Sequence, residues 1–343
     1  MTTIKDVAAQ AGVSPSTVSR VLADSPRISD ETKERVRRVL RELDYHPNAF
    51  ARSLVTNVAG AMGILIPPGT EFFQNPFFSE MMSGVTEVAR SQGFDIVLST
   101  SANDETEVLE RMIRTRRVDG ILLLRSRKED PAIRAVLDHQ FPAVLLGRPP
   151  AGMPISFVNN ENVQAAYEAT KHLVRLGHRK IGFLGGDVSY VVTDDRLRGY
   201  RQALLDNGIE PDERMEVSSY LVEHGGYLGM MRLLAASERP TAVLASDDVL
   251  AFGAMRAAGE LGYSLPDDMA IVGFNDIRLA ELANPALTSV RVHMHDLGVA
   301  AAGLLVERVK NPGAPPSERI VPTELVIRNS CGAKKFPTNM VSV

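Results

Sequence analysis

The chain has 343 residues, 44% hydrophobic and 23% charged, with a formal net charge of -4; this is the length of two domains with a small extra module, and the composition excludes an intrinsically disordered chain. No 18 consecutive apolar residues occur, so no membrane span is expected, and Asp6 interrupts the opening stretch where a secretory leader needs its apolar run. The single cysteine, Cys331, excludes an internal disulfide and a four-thiolate metal site, and a cytoplasmic setting is expected.

Charge is unevenly placed. Residues 1–57 carry nine Arg or Lys against seven acids, a net +2, and the remainder is -6. Within this segment Thr3 with Asp6 three positions on reads as a helix cap, followed by a short helix near residues 4–11 that Gly12 breaks. Ser14-Pro15 then starts a second helix, with Val18, Val21 and Leu22 on one face. A third start at Ser29-Asp30-Glu31-Thr32 runs to about Leu43 with Val36, Val39, Leu40 and Leu43 inward.

Two short helices about a glycine-containing turn form the helix-turn-helix pattern, in which the first turn of the second helix reaches base edges in the major groove. Here that turn offers Pro15, Ser16, Thr17 and, one turn on, Arg20. Proline supplies apolar contact, serine donates or accepts, and arginine can hold guanine O6 and N7 together. The free N–H groups of the helix start, with Ser14 and Thr17, can hold a phosphate. Thr3 joins this candidate DNA-facing set. The competing reading is a small helical bundle with ordinary Ser and Thr caps.

Residues 45–57 follow. Pro47 can begin a short helix with Phe50 and Leu54 on one face. It is too short to stand alone, so it needs DNA or a dimer mate as partner. Asn48 and Arg52 would then face the DNA backbone, and Leu54 either packs or wedges into the minor groove.

From residue 60 apolar strands alternate with helices. The expected strands are Gly63–Ile66, Phe94–Ser99, Gly120–Leu124, Ala143–Gly147, Lys180–Gly185, Ala242–Ala245 and Ala270–Phe274. Expected helices are Phe78–Gln92, Val163–Leu176, Arg196–Asn207, Tyr227–Ala236, Leu250–Leu261 and Leu297–Val309. This alternation predicts doubly wound parallel sheets in two lobes, with a ligand cleft at the strand ends. Neither GxGxxG nor GxxxxGK[ST] occurs, so no nucleotide cofactor is expected. His293 and His295 lack a third ligand, and Asp194-Asp195 have Arg196 and Arg198 to neutralise them, so neither metal chemistry nor catalysis is expected.

The strand ends carry Arg148, Arg196, Ser246-Asp247-Asp248 and Asn275-Asp276. Planar carboxylate, amide and guanidinium groups beside aromatic rings suit a sugar, whose hydroxyls take paired hydrogen bonds while its C–H face rests on a ring. The aromatic candidates are Phe72, Phe73, Phe77 and Phe78, some of which also pack as core, with Tyr220 as a further one whose competing role is a partly buried core tyrosine. Helix capping is the competing role for Asp247 and Asp276. The rival functions are a sugar-processing enzyme with a regulatory head, a structural DNA-bridging protein, and a regulator that senses a non-sugar metabolite such as a nucleobase.

The stretches TIKDVAAQAGVSPSTVSRVL and ISDETKERVRRVLRELDYHPNAFARSL resemble the DNA-binding head and hinge of the LacI-type bacterial repressors. The resemblance implies that Pro15, Ser16 and Arg20 read an operator and that Leu54 intercalates from a hinge helix near Pro47–Val55. It continues through the body, implying a periplasmic sugar-binding-protein-like effector domain with three crossovers between its lobes. Arg196 of Arg-Leu-Arg-Gly, Asp247 before Asp248, Asn275 after Val-Gly-Phe and the Phe77-Phe78 pair match the family's cleft positions. Asn275 is neutral where many sugar-responsive members carry aspartate, and the family's LTTV stretch is Leu287-Thr288-Ser289-Val290 here. FFQNPFFSE together with Asp95–Thr100 is most similar to the maltose-type repressors.

The resulting expectation is a homodimeric repressor that binds a pseudo-palindromic double-stranded operator and answers to a small sugar. The implied division is a head at 1–46, a hinge at 47–59, a body at 60–331 and a tail at 332–343. Within the body, an N-lobe takes 60–160 and 291–322, and a C-lobe takes 161–290 and 323–331.

Overall fold

The structure, a computed structural model, describes residues 2–22, 24–45, 58–66, 71–100 and 105–333. The hinge expected at Pro47–Val55, with Asn48, Arg52 and Leu54, lies outside the described residues, as do 334–343 of the tail.

The head is three helices: α1 (Ile4–Ala11), α2 (Pro15–Leu22) and α3 (Asp30–Glu42). Thr3 and Asp6 form a full capping box at the start of α1, each side chain meeting the other's backbone N–H. Gly12 ends α1 at φ +64°, the left-handed region that only glycine enters without strain, and this swings the chain into α2. Val7, Ala8, Ala11, Val18, Val21, Val36 and Val39 are buried together, one stripe from each helix. The head therefore has a core of its own.

The body is built on two six-stranded sheets. The strands are β1 (Ala61–Ile66), β2 (Asp95–Thr100), β3 (Gly120–Leu123), β4 (Ala143–Leu146), β5 (Ser156–Asn160) and β6 (Ile181–Gly185). They continue with β7 (Glu216–Ser218), β8 (Ala242–Ala245), β9 (Ala270–Asn275), β10 (Thr288–Arg291), β11 (Glu318–Val321) and β12 (Glu324–Val326). The N-lobe sheet runs β11-β5-β4-β3-β1-β2, parallel throughout; the C-lobe sheet runs β12-β10-β9-β8-β6-β7, with only β12 antiparallel. The helices are α4 (Glu71–Gln74), α5 (Pro76–Gln92), α6 (Glu105–Arg114), α7 (Pro131–Asp138), α8 (Asn162–Arg175) and α9 (Val191–Asp206), then α10 (Glu223–Ala235), α11 (Asp248–Glu260), α12 (Arg278–Leu282) and α13 (Met294–Lys310). Strands β1, β3, β4, β6, β8 and β9 are buried at every position, which is why they read as unbroken apolar runs.

The chain passes between the sheets after β5, after β10 and after β11. Asn160 ties these passages together: its buried Nδ2 donates to Val292 O at 3.2 Å and to Val321 O at 2.9 Å. One amide at the first crossing thus anchors the other two. Three close crossings leave the lobes a common pivot and set their open strand ends face to face.

Three differences from the expected elements bear on function. Helices start earlier than their apolar stripes suggest, because polar N-cap residues precede them: Asn75 before α5 and Asp247 before α11. Helix α9 begins at Val191 rather than Arg196, so Arg196 lies in the second turn, directed inward. The short strands β5, β7, β10, β11 and β12 were not among those expected.

Candidate functional site

The first turn of α2 faces outward. Ser14, Pro15, Ser16 and Arg20 are exposed and Thr17 is half-buried, whereas Val18 and Val21 hold the helix to the head core. Ser14 Oγ accepts from Thr17 N (3.1 Å) and lies 2.7 Å from Ser16 Oγ and 2.9 Å from Thr17 Oγ1. Three hydroxyls and a helix start therefore present one polar surface with a cation a turn away. Thr3 is committed to its cap.

The second candidate site is a cavity of about 290 Å³ between the lobes, near the lower end for small-molecule sites. Its apolar wall includes Phe77, Phe78, Leu146, Val158, Leu221 and Leu297, and its polar groups include Asn75, Ser126, Arg196, Asp247 and Asn275. The side chains come from strand ends and helix starts of both lobes, which is where parallel sheets place their ligands.

Asp247 is the centre of the polar wall. Its Oδ1 accepts the Val249 amide as the N-cap of α11 (2.9 Å). Its Oδ2 accepts from Asn275 Nδ2 within the same lobe and from Asn75 Nδ2 of the opposite lobe, both at 2.9 Å. Capping and cleft roles therefore coincide in one carboxylate. Burial raises its pKa, against the pull of the Val249 amide, Asn75, Arg196 and Asn275. Asn275 stands at φ +106°, a region a non-glycine residue seldom enters, with its side chain bonded to the buried Asp247 carboxylate. Its neutrality has a local cause: an aspartate here would set a second carboxylate against Asp247, whereas the amide donates to it.

Arg196 is buried. Its Nε donates to Asn162 Oδ1 (3.0 Å), its Nη1 to Ser246 O (2.5 Å), and its guanidinium lies 3.8 Å from the centre of the Phe274 ring. Desolvation draws its pKa down to about 10, opposed by the nearby Asp247, Asp248 and Asp195. A fork bonded on two sides and stacked on a ring is a rigid donor, pre-positioned at the cavity wall. Two polar atoms of that wall, Ser126 Oγ and Arg125 Nε, are buried and have no partner among the described residues. Buried polar atoms of this kind are satisfied by a ligand or water.

Not every expected residue reaches the cavity. Phe77 and Phe78 line it, as do Arg196, Asp247 and Asn275, but Arg148 and Tyr220 do not. Arg148 crosses to the other lobe and grips Asp195 with two bonds, at 2.7 and 3.2 Å. Tyr220 is 81% exposed, because the turn closed by Val222 N on Tyr220 O brings Leu221 to the cavity instead. Phe73 is also exposed. Among the lining residues that sequence reading missed are Asn75, Arg125, Ser126, Asn160, Asn162 and Tyr190. The Asn-Pro helix start at Asn75 and the Asn-rich end of β5 were their only local signals. Tyr190 belongs to a second contact between the lobes: Arg127 donates to its hydroxyl (2.9 Å), and Arg125 and Arg127 flank its ring. Lys128 pairs with Asp194 beside it (2.9 Å). No group of three His, Cys, Asp or Glu able to hold a metal occurs among the described residues.

Behind the cavity wall, Asp248 is completely buried, with Oδ1 accepting from the Ser289 hydroxyl (2.6 Å) and Oδ2 from Ile277 N (2.8 Å). Gly273 permits this: a Cβ there would stand 2.2 Å from Asp248 Oδ1. Burial pushes the Asp248 pKa up to about 8. An unfolded aspartate titrates near ~3.9, so the folded chain holds the proton across the interval between. Its contribution to stability is therefore full below about pH 4 and declines as the pH rises through about 8. Asp248→Asn, which keeps an acceptor for Ile277 N, is expected to flatten this decline. Denaturant midpoints at pH 5, 6, 7 and 8 measure it; an unchanged slope in the variant would exclude Asp248 as its source.

Residues 3–48 match the family "Bacterial regulatory proteins, lacI family", and residues 170–331 match a periplasmic binding protein-like domain. The chain is 35% identical to the HTH-type transcriptional regulator MalR of Streptococcus pneumoniae over 306 residues, 86% of this chain and 93% of MalR. It is 33% identical to the HTH-type transcriptional repressor PurR of Mannheimia succiniciproducens over 333 residues, 96% of this chain and 98% of PurR. Among solved structures, a transcriptional regulator CelR-cellobiose complex superposes with a TM-score of 0.75 at 33% identity, covering 96% of this chain and all of that one. The lac repressor dimer bound to operator and the anti-inducer ONPF gives 0.82 at 26% identity, covering 96% and 99%. These relatives are regulators rather than catalysts. With 33% overall identity to PurR across 96% of this chain, the chain belongs to the LacI family of sequence-specific DNA-binding repressors, with a sugar-binding-like cleft.

Proposed function

We propose that the chain is a homodimeric, cytoplasmic repressor of carbohydrate-utilisation genes whose affinity for a pseudo-palindromic operator is set by a small sugar, maltose or a related oligosaccharide, in the interlobe cavity. The observation that carries this reading is Asp247 Oδ2, shared between Asn275 of its own lobe and Asn75 of the other. A sugar hydroxyl that enters this set trades bonds with both lobes at once, and so biases their angle. The apolar wall with Phe77 and Phe78 supplies the surface for the C–H face of the ring. Cellobiose in the CelR complex supports a disaccharide-sized occupant. The similarity of FFQNPFFSE to maltose-type repressors supports the choice of sugar.

In this reading the head is 1–46 and the hinge 47–59, with Asn48, Arg52 and Leu54 meeting DNA from it. The N-lobe comprises 60–160 and 291–322, and the C-lobe 161–290 and 323–331. The operator-bound lac repressor dimer supports a two-fold arrangement, which would set two α2 helices on two half-sites. Because coupling between sites is reciprocal, an inducing sugar binds less tightly when operator is bound.

A thermal-shift screen of the full chain against monosaccharides, disaccharides and nucleobases tests the effector class. A ligand held only by the folded form at a hundred times its Kd stabilises by about 2.7 kcal/mol, a shift of several degrees. A shift with a nucleobase and none with any sugar would replace the carbohydrate reading. For the head, Arg20→Ala is expected to cost about 1–3 kcal/mol on operator and to relax preference at one base position. Equal weakening on operator and random duplex would remove Arg20 from base recognition.

A further inference from the structure

The N-lobe edge at which the chain arrives from the head is strongly basic. Helices in a parallel α/β lobe run back against their strands, so their C-termini gather where the strands begin. The last turns of α5, α6 and α13 carry Arg90, then Arg111 and Arg114, then Arg308 and Lys310. Lys310 Nζ donates to Gln92 Oε1 (3.0 Å), which places the end of α13 beside the end of α5. Past the end of α6 come Arg116 and Arg117. Residues 111–117, RMIRTRR, hold four arginines and no acid, in a body whose overall balance is negative. All four are exposed. The helix macrodipole accounts for cations in the last turn, Arg111 and Arg114, but not for the two beyond it.

The same edge receives the tether from the head. Asp119 accepts the backbone N–H groups of Ala59 (2.7 Å), Gly60 (2.6 Å) and Ala61 (3.2 Å), and Asp95 N donates to Gly60 O (2.8 Å). Arg117 is two residues from Asp119, within ~7 Å along the chain. Among the described residues, four acids lie near the run: Asp119 holds those three amides, Glu110 pairs with Arg114 of the run at 3.5 Å, and Glu107, one turn before Arg111, and Asp95 are exposed, while Arg116 and Arg117 extend the positive charge past the helix end. Between Tyr45, the last described residue of the head, and Ala59 the chain spans at most ~50 Å, so a duplex held by α2 stays at high effective concentration beside this edge.

We propose that Arg111, Arg114, Arg116 and Arg117 form a second DNA-backbone surface, on the body, which contacts phosphates of the duplex engaged by the head. It adds affinity without reading sequence, since guanidinium groups on phosphates carry no base information. The inference rests on the family's DNA-binding head and is independent of the effector.

The test uses the full chain and a random-sequence 40-bp duplex, with binding followed by fluorescence anisotropy between 50 and 200 mM NaCl. Each neutralised phosphate contributes about 0.9 to the slope of log K against log salt. Arg111→Gln with Arg117→Gln is expected to lower that slope by roughly one for each phosphate that is no longer neutralised and to weaken binding several-fold at 50 mM. Arg111→Glu with Arg117→Glu should weaken it further. Arg232→Gln, an exposed charge removed from α10 of the other lobe, should match the unaltered protein. Unfolding midpoints equal to that of the unaltered chain establish that the variants fold. A slope and affinity indistinguishable from the unaltered protein in both double variants would overturn the proposal. Loss of binding to the same degree in Arg232→Gln would overturn it too, by showing a general charge effect.

Discussion

Arg196→Ala is expected to abolish the response of DNA binding to effector and to cost the body about 3 kcal/mol or more of stability. The stability loss follows from what the side chain holds. Hydrogen bonds to a charged group are worth ~1.5–3 kcal/mol each, and Arg196 makes two, to Asn162 Oδ1 and Ser246 O. A desolvated guanidinium on an aromatic face adds ~2 kcal/mol, and Arg196 lies on Phe274. Alanine removes these and leaves a buried carbonyl and a buried amide oxygen unpaired. Lysine is no substitute, because a single ammonium cannot reproduce the planar fork over the ring. Denaturant unfolding measures the first effect, and DNA affinity with and without effector measures the second. The head has a core of its own, so operator binding should persist. A variant that still answers to its effector would remove Arg196 from the site.

Gly298→Ala is expected to cost the N-lobe about 3 kcal/mol, the upper end for overpacking. Helices α5 and α13 approach through reciprocal glycines. A Cβ on Gly84 would lie 2.1 Å from His295 O, and one on Gly298 would lie 2.0 Å from Met81 O. Both obstacles are backbone atoms, which cannot rotate aside as a side chain can, so the helices must part. Because α13 also carries Leu297 of the cavity wall, weakened effector binding should accompany the loss. Gly259→Ala, in α11 with nothing within 4 Å of its Cβ, is the control and should be neutral or stabilising by ~0.5–1 kcal/mol. Equal unfolding midpoints for the Gly298 variant and the parent would show that the helices yield freely there.

The parts legible from the residues alone were those governed by near neighbours. Ser14-Pro15 announces a helix start within three residues, and Thr3 with Asp6 does the same. The strands buried on both faces show themselves as apolar runs. Strand β10 does not: Thr288 and Ser289 are fully buried polar residues whose partners, Cys331, Ser330 and Asp248, lie about forty positions away. Strands β7, β11 and β12 are short edge strands, and β11 and β12 each carry an exposed glutamate. Arg148 illustrates the same limit at the site. An arginine after a strand is equally suited to a ligand or to a carboxylate, and only the approach of Asp195 from the other lobe decides between them.

By its own residues, then, this chain determined a helix-turn-helix with an outward first turn, a parallel two-lobe body, and Arg196, Asp247 and Asn275 as strand-end groups. These follow from periodicity, capping and strand-end chemistry, which act over a few positions. Tertiary structure alone decided that Asp247 joins the lobes through Asn75, that Asn160 gathers three crossings, that Tyr220 points away, and that the arginines of α6 share an edge with the tether. Each depends on groups brought together from distant parts of the chain, and a hydrogen bond is set by distance in space rather than by separation along the backbone.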